Sequence, residues 1–240
     1  MTWNGNDTES AAVRERGFGL EVDGRLVPGV SWQPASGGAD RLVLLGHGGT
    51  THKKIDYIEE LAAALAAKGI ATMAIDGPGH GDRAVDLPSS GHESDQDRFA
   101  ELWSSGGGTA GMLADWRAAL DFIEAEEGPR PTGWWGLSMG TMMGLPVAAT
   151  DPRIRVAVLG LMGTWGPNGS DLAALAGEVS CPLRFLVQWD DEIVPRDACL
   201  ELFGLLGTTK KSLHANPGAH AEVPRVEVAS SVGYLDRYLG

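Results

Sequence analysis

The sequence predicts an α/β fold: a three-layer α/β/α sandwich on a mostly parallel sheet of about eight strands, in one domain over residues 1–240. Three observations carry that prediction. Short apolar runs without polar alternation recur along the chain, as strands buried on both faces require. Stretches with apolar residues at helical spacing stand between them. The residues capable of chemistry fall just after the runs, at what would be one edge of the sheet.

Residues 1–15 are polar and are expected to be frayed. Residues 17–22 and 25–33, joined by Asp23-Gly24, read as a β-hairpin, since Asp-Gly between apolar runs supplies the positive φ of a tight turn. Arg41–Gly46 is a continuous apolar run ending in His47-Gly48-Gly49-Thr50-Thr51. Ile55, Ile58, Leu61, Ala62 and Leu65 then mark a helix, with Gly69 where a C-terminal glycine belongs. Ile70–Ile75 is the next strand, left by the glycine-rich turn Asp76-Gly77-Pro78-Gly79-His80-Gly81-Asp82-Arg83. Residues 84–111 are polar and read as a long loop near the active edge, with His92 inside it.

Leu113, Trp116, Leu120 and Ile123 mark an amphipathic helix. A strand follows at 132–135 and a small, apolar helix at 139–149, which Pro146 should kink or shorten. Residues 155–161 and 183–189 are strands, and the stretch 163–180 between them has room for one short helix and no large lid. A helix over 197–206 stops at Gly207, a last strand covers 211–215, and Val228, Val232, Leu235 and Leu239 mark a closing helix.

The net charge of −13 argues against nucleic acid and anionic membrane as partners. No run approaches the length of a membrane span, and residues 1–15 lack the apolar segment of a signal peptide, so a cytoplasmic setting is expected. The two cysteines, Cys181 and Cys199, sit in apolar contexts that suit buried thiols.

The stretch that organises the chain is Gly136-Leu137-Ser138-Met139-Gly140. In a chain with 34 glycines the five-residue pattern alone decides little; its setting, between a buried strand and a buried helix, decides more. A strand that stops at a serine and re-emerges as a helix turns sharply, and the flanking glycines remove the side chains that would clash there. The hydroxyl is then held out at a helix N-terminus, whose free N–H groups favour developing negative charge. A serine hydroxyl also needs a base and a group to orient that base. The chain offers both downstream: an acid within Trp189-Asp190-Asp191-Glu192-Ile193-Val194-Pro195, and a histidine within Asn216-Pro217-Gly218-Ala219-His220. His214 is a rival base, but it lies inside a strand, where a side chain is packed rather than free to move.

These five pieces, in this order, resemble an α/β-hydrolase of the dienelactone-hydrolase-like or small carboxylesterase type without a cap domain. The resemblance runs from Arg41 to the C-terminus and rests on His-Gly-Gly, Asp-Gly-Pro-Gly-His-Gly, the serine turn, Asp-Glu-Ile-Val-Pro and Pro-Gly-Ala-His. It implies Ser138 as nucleophile, His220 as base and Asp191, three residues before Val194-Pro195, as the acid. Asp190 and Glu192 are its competitors.

The turn geometry makes the N–H of Met139 one oxyanion donor, and the resemblance implies the N–H of Gly49 as the other. Trp103, Trp165 and Trp189 are candidates for pocket walls. Asp76, His80 and Asp82 do not form a convincing metal set, because no further ligand stands at a fixed spacing to them, and neither metal nor cofactor is expected. The function implied is hydrolysis of a small-molecule carboxylic ester through an acyl-enzyme. Thioester, lactone, amide or C–C bond hydrolysis would use the same groups. A non-catalytic binding protein on the same scaffold is a remote alternative, since fold does not fix function.

Overall fold

The computed structural model describes residues 2–3, 8–9, 13–84 and 95–240. Among them the chain forms β1 (Thr2–Trp3), β2 (Thr8–Glu9), β3 (Val13–Val22), β4 (Arg25–Pro34), β5 (Arg41–Gly46), α1 (Asp56–Ala66) and β6 (Ile70–Ile75). After a 3-10 turn at Gly81–Arg83 come α2 (Asp95–Ser105), α3 (Gly108–Glu127), β7 (Thr132–Gly136), α4 (Met139–Thr150) and β8 (Ile154–Gly160). The rest is α5 (Gly169–Ala176), β9 (Leu183–Gln188), α6 (Arg196–Leu205), β10 (Lys211–Asn216) and α7 (Arg225–Leu239).

The strands make one sheet in the order β1-β3-β4-β6-β5-β7-β8-β9-β10, with β2 also on β3. From β6 to β10 every pairing is parallel, and the antiparallel hairpin β3–β4 joins it through β4–β6. Alternation along the buried strands decides the layers. In β5, Leu42 and Leu44 face the core shared with Trp116 of α3, Met142 of α4, Leu172 of α5 and Leu202 of α6. Val43 and Leu45 face the core shared with Leu61 and Leu65 of α1 and Leu235 of α7. All four are fully buried, each contributing about 1.5–3 kcal/mol of hydrophobic stabilisation.

Two expectations are corrected. The first is fraying over 1–15, corrected for the residues described there: Thr2–Trp3 and Thr8–Glu9 pair with β3, and Trp3 has a surface to cover, while residues 1, 4–7 and 10–12 lie outside the described residues. Its indole lies 5.0 Å from the Phe122 ring and 6.0 Å from that of Phe18, with the Arg16 guanidinium 3.6 Å above it. The second is the loop over 84–111: residues 95–105 are helical and α3 already begins at Gly108. Phe99, Leu102 and Trp103 hold one face of α2 against the body, which is enough apolar area to order an otherwise polar segment. His92 and the rest of 85–94 lie outside the described residues.

Pro146 does not shorten its helix, which continues to Thr150. Proline leaves the carbonyl of Met142 without its helical partner. The Asn168 side chain, wholly buried, supplies the missing donor, Nδ2 to the Met142 carbonyl at 3.1 Å.

Candidate active site

Ser138 sits between β7 and α4 at φ 57, ψ −121, a left-handed conformation that only a tightly constrained turn imposes on a side-chain-bearing residue. The glycines on either side are required by contact. A Cβ at Gly136 would stand 2.8 Å from the Gly140 carbonyl oxygen, and one at Gly140 would overlap the Gly46 carbonyl. The turn is tied to β8 as well: Ser138 N–H donates to Gly160 O at 2.9 Å, and Gly160 N–H donates to Thr141 Oγ1 at 2.8 Å.

Three loops beyond the carboxyl ends of β7, β9 and β10 bring Ser138, Asp191 and His220 together. His220 Nδ1 lies 2.8 Å from Asp191 Oδ2, and Nε2 lies 2.9 Å from Ser138 Oγ. The carboxylate can only accept, so Nδ1 carries the proton and Nε2 is left as acceptor for the serine hydroxyl. Asp191 is itself fixed, its side chain 2% exposed and its Oδ1 accepting the N–H groups of Ile193 and Val194 at 2.9 and 2.8 Å. His214 is elsewhere, its Nδ1 2.9 Å from Glu227 Oε2.

The competing carboxylates serve the same loop by other routes. Asp190 Oδ2 accepts the N–H of Gly218 at 3.1 Å and Glu192 Oε2 that of His220 at 2.9 Å. Sequence reasoning missed these contacts, because nothing in an acidic run distinguishes a carboxylate that holds a ring from one that holds a backbone.

Met139 begins α4 and Gly49 lies in the turn after β5; neither N–H has a protein acceptor among the described residues. The turn is shaped by His47. Gly77 N–H donates to His47 Nε2 at 2.9 Å, so Nδ1 carries the proton and donates to Gly48 O at 2.8 Å. Burial is the main reason its pKa falls to about 4. Tyr57 Oη accepts the Gly48 N–H at 2.7 Å, leaving the next N–H, that of Gly49, as the open donor. Burial drives both thiols the other way, Cys181 up to about 11 and Cys199 up to about 12, so neither is a rival nucleophile.

Of the three tryptophans expected as walls, Trp103 is corrected to a core side chain, 3% exposed on the inward face of α2. Trp189 is 47% exposed, with the Arg196 guanidinium 4.4 Å over its ring. Trp165 is half-buried against the core. His80 is buried, its Nδ1–H donating to Pro78 O at 2.7 Å, and its pKa is lowered mainly by that burial. A residue that sequence reasoning missed is Phe99 of α2, whose ring lies 3.7 Å from where a Cβ on Gly49 would stand. The spacing of Phe99, Leu102 and Trp103 at i, i+3 and i+4 was the available signal.

This sheet, with a serine on a strained strand-to-helix turn at its carboxyl edge, defines an α/β-hydrolase. The match is also one of sequence: residues 37–165 fit the family model described as serine aminopeptidase, S33, and the chain belongs to that family. A PEG-bound complex of a cold-adapted esterase from an Arctic intertidal metagenomic library is 62% identical over 100% of both chains, with a TM-score of 0.93. A zinc-bound structure of a cold-adapted esterase from such a library is 59% identical over 100% of both chains, with a TM-score of 0.88. The Pyrococcus furiosus esterase Pf2001, 15% identical over 94% of this chain and 93% of that one, shares the fold at a TM-score of 0.69. No curated protein matches the sequence. Among the described residues no helix is long and apolar enough to cross a membrane.

Proposed function

We propose that this chain hydrolyses small-molecule carboxylic esters through an acyl-enzyme on Ser138. The observation that carries the reading is the continuous hydrogen-bonded path from Asp191 through His220 to Ser138 Oγ, with contacts of 2.8 and 2.9 Å. In the first step Ser138 Oγ attacks the ester carbonyl carbon while its proton passes to His220 Nε2. The carbonyl oxygen, now negative, takes the N–H groups of Gly49 and Met139. Collapse expels the alcohol, which leaves with the proton from His220. Water then repeats the sequence on the acyl-enzyme and releases the acid. Asp191 keeps the imidazole in the tautomer this needs and stabilises its charged form.

The esterase at 62% identity supports an ester as the bond cleaved. No cofactor enters this cycle. The net charge of −13 supports a small molecule rather than nucleic acid as the partner, and two free, buried thiols suit a cytoplasmic setting. Trp165 and Phe99 are the residues we assign to the walls of the substrate site.

The test is a fluorophosphonate probe followed by a panel of p-nitrophenyl esters of increasing acyl length, with a lactone and an aminoacyl anilide beside them. Labelling at Ser138, lost in Ser138→Ala together with ester turnover while the melting temperature holds, is the expected result. Turnover by Ser138→Ala within tenfold of wild type overturns the reading; preference for the anilide moves it to amide cleavage.

A further inference from the structure

Asp76, the first residue after β6, is wholly buried and accepts three hydrogen bonds. Its Oδ1 takes the backbone N–H of Lys53 at 2.9 Å, and its Oδ2 takes the Lys53 ammonium at 2.6 Å and the N–H of Asp82 at 2.9 Å. The same ammonium reaches the exposed Asp82 Oδ2 at 2.6 Å and thereby holds that carboxyl below its ordinary range. The fit is close enough that a Cβ at Gly81, which sits at φ 53, would overlap the Asp76 carboxylate.

The far side of this turn is anchored in the body of the protein. Arg83 donates to the Asp76 carbonyl at 3.0 Å and to Asp115 Oδ2 of α3 at 2.8 Å. Asp115, also wholly buried, takes Arg25 of β4 at 2.9 Å on its other oxygen. The turn at 76–83 is therefore fixed from α3 and β4, and the loop at 47–53 is fixed from the turn, once through Lys53 and once through His47 and Gly77. A buried ion pair is a poor choice if stability alone is needed, because desolvation offsets most of the attraction. As a geometric constraint it is effective, since one carboxylate fixes the backbone and the side chain of the same lysine at once.

We propose that Asp76 and Lys53 are positioning residues that hold the N–H of Gly49, four residues before Lys53, in register with the oxyanion formed on Ser138. The proposal rests on the ester-hydrolase reading above. An oxyanion donor acts in the transition state more than on bound substrate, so a loosened loop should lower kcat and spare KM.

The experiment is Lys53→Met, which removes the ammonium and leaves Asp76 both backbone N–H donors. Active sites are first counted with a fluorophosphonate, and kcat is expressed per labelled site. We expect kcat to fall roughly 10- to 100-fold with KM within about threefold of wild type. The affinity for a trifluoromethyl ketone, whose carbonyl Ser138 Oγ adds to and whose oxyanion needs the same donors, should weaken by the same factor. Lys54→Met, which loses an exposed pair with Glu15, is the control and should leave kcat unchanged. A fall in melting temperature or in labelled fraction, with kcat per site and ketone affinity within twofold of wild type, overturns the proposal as a merely structural role. Should Lys53→Met not fold, Asp82→Asn on the exposed partner reads the same quantities; roughly a threefold loss of kcat per site is expected, and none overturns it. Failure of Ser138 to take the probe in wild type is a separate result, which removes the underlying reading instead.

Discussion

Glu192 Oε2 accepts the backbone N–H of His220 at 2.9 Å, so the residue after Asp191 holds the main chain of the histidine whose ring Asp191 holds. That N–H is also the chief reason the Glu192 carboxyl lies below its ordinary range. With Asp190 on Gly218, three consecutive carboxylates secure one loop at three points.

The three should separate cleanly in kinetics. Asp191→Asn keeps the shape but supports the wrong imidazole tautomer, and kcat should drop roughly 10³–10⁴-fold. Asp190→Asn and Glu192→Gln keep an oxygen that can accept the same backbone N–H, and each should cost less than about tenfold. A larger loss in Asp190→Asn than in Asp191→Asn would refute the assignment.

The two histidines make a second contrast. His220→Ala should cost roughly 10⁴-fold or more in kcat, whereas His214→Ala, which loses only the contact with Glu227, should stay within about twofold. Steady-state rates of the two purified variants decide the matter, and an inactive His214→Ala with an intact melting curve would reassign the base.

His47 predicts how stability depends on pH. The unfolded chain takes up its proton near 6.5, the native chain only near 4, so between those values protons favour unfolding. The contribution is fully present above about pH 6.5 and is lost as pH falls toward 4, by about 3 kcal/mol in all. His80, lowered for the same reason, acts in the same direction. Urea titrations from pH 7 to 4.5 should show a slope approaching about 1.4 kcal/mol per pH unit more in wild type than in His47→Asn. Parallel slopes would mean that the imidazole is not neutral in the native protein.

Asn168→Ala should leave the Met142 carbonyl buried without a donor, at a cost of about 1–3 kcal/mol. Chemical denaturation measures this directly. An unchanged midpoint would indicate that the carbonyl finds another donor and that the helix tolerates Pro146 unaided.

The parts of the fold that were legible in the sequence share a cause. Leu42 to Leu45 and Ile70 to Ile75 are buried on both faces, and such strands leave an apolar run without polar alternation, the one polar residue, Thr72, being buried as well. Trp3 in β1 and Phe99 in α2 are held by partners far along the chain, and a two-residue strand or a three-residue apolar face leaves little periodicity to read. The site divides the same way. Ser138, Asp191 and His220 stand in local patterns that constrain their own neighbourhoods. Asp76 opens one of those patterns too, but Lys53 stands in none, and what joins the two is the side-by-side pairing of β5 and β6, which is a property of the sheet rather than of either segment.

The sheet also gives the two ends of the proposed proton path unequal footing. Ser138 leaves β7, which has β5 on one side and β8 on the other, while His220 leaves β10, which among the described residues is an edge strand paired with β9 alone. In the proposed cycle the hydroxyl oxygen makes and breaks a bond without travelling, whereas the imidazole serves two oxygens in turn, that of Ser138 and that of the departing alcohol. The partner that must pivot hangs from the rim, and the one that must stay still is set in the middle.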